Sequence, residues 1–289
     1  MQYLLFLLLF ISLPFMATAQ SLHAFQLFNS QGGKVEFDEM VAVLREADVV
    51  FFGEQHNNPI AHWMQLEISR RFLEAEGAQL ILGAEMFEAD DQLLLNEYLT
   101  GVIAEKNFEQ EARVWNNYQT DYKPLVLLAK NNDLPFIATN IPRRYANLVF
   151  REGLEALDQL SMQAKSYIAP LPISVDFELP GYKNMMRMMN NHGGEGSTKL
   201  VQAQAIKDAT MAHFIATSWE EDHLFLHFNG SYHSDNKEGI LWYLERYRPG
   251  LNVHTISTVS QKNVDTLLEE HSGKADYILC VPNNMTKTY

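Results

Sequence analysis

The segment Val49-Val50-Phe51-Phe52-Gly53-Glu54-Gln55-His56 decides the fold. Four apolar residues of high β-propensity run into a glycine and then into three polar side chains. The same design recurs three times. Leu80-Ile81-Leu82 runs into Gly83-Ala84-Glu85, and Phe136-Ile137-Ala138 runs into Thr139-Asn140. Leu224-Phe225-Leu226-His227-Phe228 runs into Asn229-Gly230-Ser231-Tyr232-His233. In an open parallel sheet the carboxyl ends of the strands share one edge, and ligands bind in the crevice there. Glu54, His56, Glu85, Asn140 and His233 are therefore expected to converge although they are far apart in sequence.

Between these strands lie helical patterns, the alternation that builds βαβ units. Pro59 to Glu76 carries Ile60, Met64, Ile68 and Phe72 at helical spacing, with Asn57 or Asn58 as a cap before Pro59. Asp90 to Thr100 reads as a second helix burying Leu93, Leu94 and Tyr98, and Tyr122 to Asn131 as a third. Further strands are expected over 251–259 and 276–281. The alternation breaks over 141–218, which holds helical patterns at Ala146 to Leu160 and Lys199 to Trp219 and no convincing strand. The fold expected is α/β: a mostly parallel central sheet flanked by helices, with an inserted, mainly helical subdomain at 141–218.

Composition narrows the function classes. With 22 Lys+Arg against 36 Asp+Glu, the formal charge is -14, which repels a phosphate backbone and argues against nucleic-acid binding. The first 19 residues carry no charged side chain and end in Ala17-Thr18-Ala19, so they read as a signal peptide cleaved before Gln20. The mature part, 20–289, is expected to be exported, periplasmic or secreted. The single cysteine, Cys280, lies far from that cleavage site and sits in an apolar strand, so it reads as packing rather than as a lipid acceptor or zinc ligand.

Several side chains could carry chemistry. Glu54 and His56 offer a carboxylate and an imidazole for proton transfer or metal ligation. Glu85 is a charge among small and apolar neighbours, which requires a partner. His56, His233 and the two glutamates are a possible set for a divalent metal ion, as in a metal-dependent protease or esterase. Asn140 reads as an orienting group, Arg143 as an anion holder and His227 as a core histidine. The methionines at 185, 186, 188 and 189, beside His192 in a glycine-rich loop, suit a flat apolar ligand such as haem. No Walker loop, G-x-G-x-x-G or G-x-S-x-G motif is present.

Six ordered motifs carry a family resemblance. They are Gly53-Glu54-Gln55-His56, Gly83-Ala84-Glu85-Met86-Phe87, Tyr122-Lys123-Pro124-Leu125, Ala138-Thr139-Asn140-Ile141-Pro142-Arg143, Ala203-Gln204 through Asp208-Ala209-Thr210-Met211-Ala212, and Gly230-Ser231-Tyr232-His233. Together they resemble the ChaN family of haem-binding, iron-uptake-associated proteins, in the Tiki/erythromycin-esterase-like superfamily. The resemblance implies haem bound between the subunits of a homodimer, with possible peripheral association with the outer membrane. It implies a tyrosine as haem ligand, sought among Tyr122, Tyr145, Tyr167 and Tyr182. On that reading Tyr182, His192, Arg143 and Tyr145 are haem candidates, and Gln204 and Asp208 support the Glu54, His56, Glu85 and His233 cluster.

Overall fold

A computed structural model describes residues 22–190 and 195–289. Seven strands form one sheet: β1 (Gln26–Asn29), β2 (Val49–Glu54), β3 (Leu80–Glu88), β4 (Phe136–Asn140), β5 (Leu224–Gly230), β6 (Val253–Gln261) and β7 (Tyr277–Pro282). Their spatial order is β1-β7-β6-β2-β5-β3-β4. Only β1 runs antiparallel, against β7; every other pairing is parallel. The central strand β2 lies between β5 and β6, so its carboxyl end faces the exits of strands from distant parts of the chain.

All six residues of β2 are buried, because both sheet faces are covered. The two-residue period of a strand divides them between two cores. Val50 and Phe52 join Met64, Ile68 and Phe72 of α2 (Pro59–Glu76) on one face, where α1 (Phe37–Leu44), α3 (Gln92–Leu99), α4 (Glu105–Glu111) and α5 (Lys123–Asn131) also pack. Val49 and Phe51 join the opposite core. That core is built by α6 (Arg143–Glu152), α8 (Pro180–Asn190), α9 (Glu195–Ser218) and α10 (Ile240–Tyr247), while the short α7 (Met162–Lys165) buries no residue in it. The inserted helical stretch thus becomes the second layer over the sheet, with Val201, Ala205, Ile206, Ala209 and Met211 of α9 buried in it.

Local details differ from the sequence reading where tertiary contacts overrule periodicity. Asn58, not Asn57, caps α2, accepting from the backbone N–H of Ile60 (3.0 Å) and Ala61 (3.2 Å). Helix α3 buries Leu95 and Tyr98 and leaves Leu93 68% exposed. The reason is Gln92. Its side chain donates to Phe136 O (2.9 Å) and accepts from Ala138 N (2.6 Å), sealing the free edge of β4 and fixing which helix face turns inward. Helix α6 stops at Gly153, whose φ of 94° is reached easily only without a side chain. A π-turn at Tyr118–Tyr122 precedes α5. Cys280 is buried and its thiol is pushed up to about 12 by burial, as suits a packing residue. Among the described residues no helix is long and apolar enough to cross a membrane. The proposed leader at 1–19 lies outside the described residues.

Candidate functional site

Three strand exits meet at the carboxyl edge. Gly53 allows the closest approach: a Cβ there would come within 2.8 Å of Ser231 Cα on the neighbouring exit. Glu54 and His56 leave β2, Glu85 lies within β3 where the register against β4 shifts, and His233 follows β5. The backbone of Gly230 joins them. Its N–H donates to Glu85 Oε2 (2.7 Å), and a Cβ at this position would lie 2.7 Å from His56 Nε2. Glycine is what permits the imidazole to lie beside this strand.

Two carboxylate–imidazole systems face each other. In the first, Glu54 Oε1 lies 2.9 Å from His56 Nδ1 and accepts from the Tyr122 hydroxyl (2.7 Å), while Oε2 accepts from Gln65 Nε2 (2.5 Å). His62 stands behind, 3.5 Å from Glu54 Oε2 and 3.3 Å from Asp121 Oδ2, and Asn117 Nδ2 donates to His56 O (2.9 Å). In the second, His233 sits between two carboxylates, with Nδ1 2.5 Å from Asp208 Oδ1 and Nε2 3.2 Å from Glu85 Oε1. The Tyr182 hydroxyl donates to Asp208 Oδ2 (2.7 Å), and the Gln204 amide lies 2.9 Å from His233 Nδ1.

The electrostatics follow from this pairing. Burial opposes charge on His233, but Glu85 and Asp208 outweigh it and push the imidazole up to about 10. Burial likewise works against an ionised Glu85, yet the flanking His233 and His56 and the Gly230 N–H hold its carboxyl well below the usual range. Burial tends to lower His56, but the bond to Glu54 and the charge of Glu85 leave it net raised. His227 behaves as the core histidine expected. It is bonded to Thr139 Oγ1 (2.8 Å) and Asn229 Oδ1 (3.1 Å), and burial lowers it to about 4.

These pairings alter two expectations. The residues expected as a divalent-metal set pair among themselves and with Asp208: His233 Nδ1 lies against Asp208 and Nε2 against Glu85. Among the described residues no group of three or more His, Cys, Asp or Glu could hold a metal ion. Tyr182 is 3% exposed and bonded to Asp208, so it belongs to the strand-end network rather than to a separate surface on the helical insertion. Tyr145 is half-buried and its hydroxyl accepts from Arg144 (3.2 Å), while His192 lies outside the described residues.

The cluster opens into a pocket of about 510 Å³. His56, Glu85 and His233 line it with Trp115, Asn140, Ile141, Arg143, Phe150, Leu200 and Lys207. A hollow of about 620 Å³ shares Glu88, Trp115 and Arg143 with it. Trp115 meets the His56 ring edge-on, centroids 4.9 Å apart. Gln65, His62, Trp115 and Lys207 were missing from the sequence reading. Polar His62 and Gln65 among the apolar positions of α2 were a signal for two of them. Nothing comparable marked Trp115 or Lys207.

The chain falls in the class of mostly parallel α/β sheets whose strand ends gather carboxylates and imidazoles around a pocket. The particular family is shown by residues 40–244, which match the family described as "Haem-binding uptake, Tiki superfamily, ChaN"; the chain belongs to it. A solved structure described as "Cofacial heme binding to ChaN of Campylobacter jejuni" is similar at 19% identity, covering 90% of this chain and 97% of that one, with a TM-score of 0.67. A mutant of the erythromycin esterase EreC shares the fold at 11% identity, covering 90% of this chain and 98% of that one, with a TM-score of 0.51. No curated protein matches the sequence.

Proposed function

We propose that this is an exported haem-binding protein serving iron acquisition, active as a homodimer, with the strand-end pocket as its haem site. The family match carries the haem reading. The pocket's chemistry agrees with it. Trp115, Ile141, Phe150 and Leu200 offer apolar and aromatic surface, and Arg143 and Lys207 offer cations for propionates. Among the described residues, His56 Nε2 has no hydrogen-bond partner, while Glu54 fixes Nδ1 and so orients the ring. A histidine held by a carboxylate at one nitrogen presents the other as a basic ligand. His56 is therefore the residue that would meet the iron, and the iron would supply the spectral and redox chemistry of the bound group. Export rests on the apolar leader at 1–19, and the dimer on the family resemblance.

Hemin titration of the full chain, followed by the Soret band, tests this. Saturable binding at micromolar protein is expected, with the band shifted or lost in His56→Ala and retained in Tyr145→Phe. No saturable shift in the unaltered protein would refute the haem reading. A second reading, ester or peptide hydrolysis without a metal ion, is favoured by one observation: His56, oriented by Glu54, lies beside an ionised Glu85. In that reading His56 Nε2 takes the proton from an attacking water. Ester turnover abolished by His56→Ala and indifferent to chelator would support it; no turnover of any ester or peptide tried would remove it.

A further inference from the structure

We propose that Tyr289 is a further ligand-contacting residue: a strap over 283–289 carries it to the hollow beside Trp115, where its ring covers one face of a flat macrocycle. The inference rests on the haem reading and adds to it a residue that does not line the strand-end pocket itself. Exposure alone does not single Tyr289 out. It is 66% exposed, but Leu22, Val102 and Met162 are more so. Its placement is what distinguishes it. Strand β7 finishes at Pro282 on the carboxyl edge, separated from β2 by β6. The chain then turns, with Asn283 N–H donating to Gln261 O (3.0 Å) and Met285 N–H to Pro282 O (3.1 Å). It crosses that edge and reaches the turn that carries His56. There the backbone N–H of Thr288 and its hydroxyl both donate to Asn57 O, at 3.0 and 3.3 Å. The same turn is held from within, Asn58 N–H donating to Gln55 O (2.8 Å), and from the side, Asn117 Nδ2 donating to His56 O (2.9 Å). The strap and the imidazole proposed to meet the iron are therefore fixed in one frame.

Beyond that anchor, Tyr289 lines the hollow of about 620 Å³ together with Trp115 and Arg143. This hollow shares Glu88, Trp115 and Arg143 with the strand-end pocket, so a ligand broad enough to fill both passes beside Trp115 and Tyr289. The two aromatics differ in what holds them. Trp115 packs edge-on against both His56 and Tyr122. The ring of Tyr289 has no aromatic neighbour, and its hydroxyl no hydrogen-bond partner, among the described residues. Burial, with Glu54 and Asp121 behind it, raises its phenol above the ordinary value of 10.0, so the ring is neutral at physiological pH. A neutral ring offers aromatic surface rather than a phenolate for the iron. Aromatic faces gain more on meeting than the area they bury accounts for, and a ring held by its backbone surrenders little freedom when one arrives.

The test titrates hemin and iron-free protoporphyrin IX into the full chain, unaltered and as Tyr289→Ala and Tyr289→Phe. A ring that covers the macrocycle and leaves the iron alone predicts that Tyr289→Ala weakens both porphyrins about tenfold, with the Soret band of bound hemin unmoved. Tyr289→Phe should bind both as the unaltered chain does. The ligand-free thermal midpoint, expected to be the same throughout because the side chain is exposed, is the check on folding. Unchanged hemin affinity in Tyr289→Ala overturns the inference and leaves the haem reading standing. So does a loss confined to hemin, or a Soret shift in Tyr289→Phe, since either would put the phenol on the iron. No saturable hemin binding by the unaltered chain removes the inference and the haem reading together.

Discussion

Glu85 is the residue on which the two halves of the site depend, because it faces His233 directly and His56 through the Gly230 backbone. Its ionised form is stabilised by His233, and His233 in turn is held charged by Glu85 and Asp208. The folded value of about 10 lies above the ordinary 6.5, so native protein retains a proton that the unfolded chain releases. This contribution to stability is complete below about 6.5 and is lost as pH rises through about 10. Stability should therefore decline between pH 7 and 10, by up to about 1.4 kcal/mol per pH unit for one proton. Denaturant unfolding at several pH values checks the slope. The ¹⁵N shifts of His233 at pH 8 check its origin and should show both ring nitrogens protonated. A neutral ring at pH 8 would contradict the assignment. The convergence of Glu54, His56, Glu85 and His233 was legible in the sequence because each follows or sits in an apolar strand. The pairing of His233 with Asp208 was not, since which groups neutralise each other depends on side-chain directions that spacing does not encode.

At the scale of elements, α2 does more than cover the sheet. Its first turn is fixed by Asn58, and one turn later His62 and Gln65 reach back to Glu54. Replacing the cap is expected to cost about 1 kcal/mol. Asn58→Ala should accordingly lower the denaturation midpoint with little change in the slope of the transition; an unchanged midpoint would show the cap to be dispensable. Strands β2 to β7 and helices α2, α3, α5 and α9 were legible because apolar periods and strong breakers specify them. The short β1, α1, α4 and α10 were not, because their few apolar residues acquire meaning only when packed on the sheet. Leu93 was misjudged for a related reason. Three consecutive leucines fit either face of α3, and the polar Gln92, bound to the edge of β4, chooses between them.

Across the whole molecule, the placement of β2 between β5 and β6 brings residues separated by well over a hundred positions to one edge. The helical stretch over 141–218 then contributes Arg143, Lys207 and Asp208 to the same edge from the opposite layer. Tyr182 of α8, on the helical insertion, bonds to Asp208 and so joins the strand-end network, and the pocket there is lined from both parts of the chain. The four tryptophans report on this arrangement. Trp115 lines the pocket against His56. Trp219 donates to Asp48 O (3.1 Å) and His223 O (2.8 Å), at the opposite, amino-terminal edge of the sheet. Substoichiometric paramagnetic hemin should therefore broaden the Trp115 indole N–H resonance first and leave that of Trp219 sharp. Broadening of Trp219 or Trp242 ahead of Trp115, or of none of the four, would contradict a haem site in the strand-end pocket.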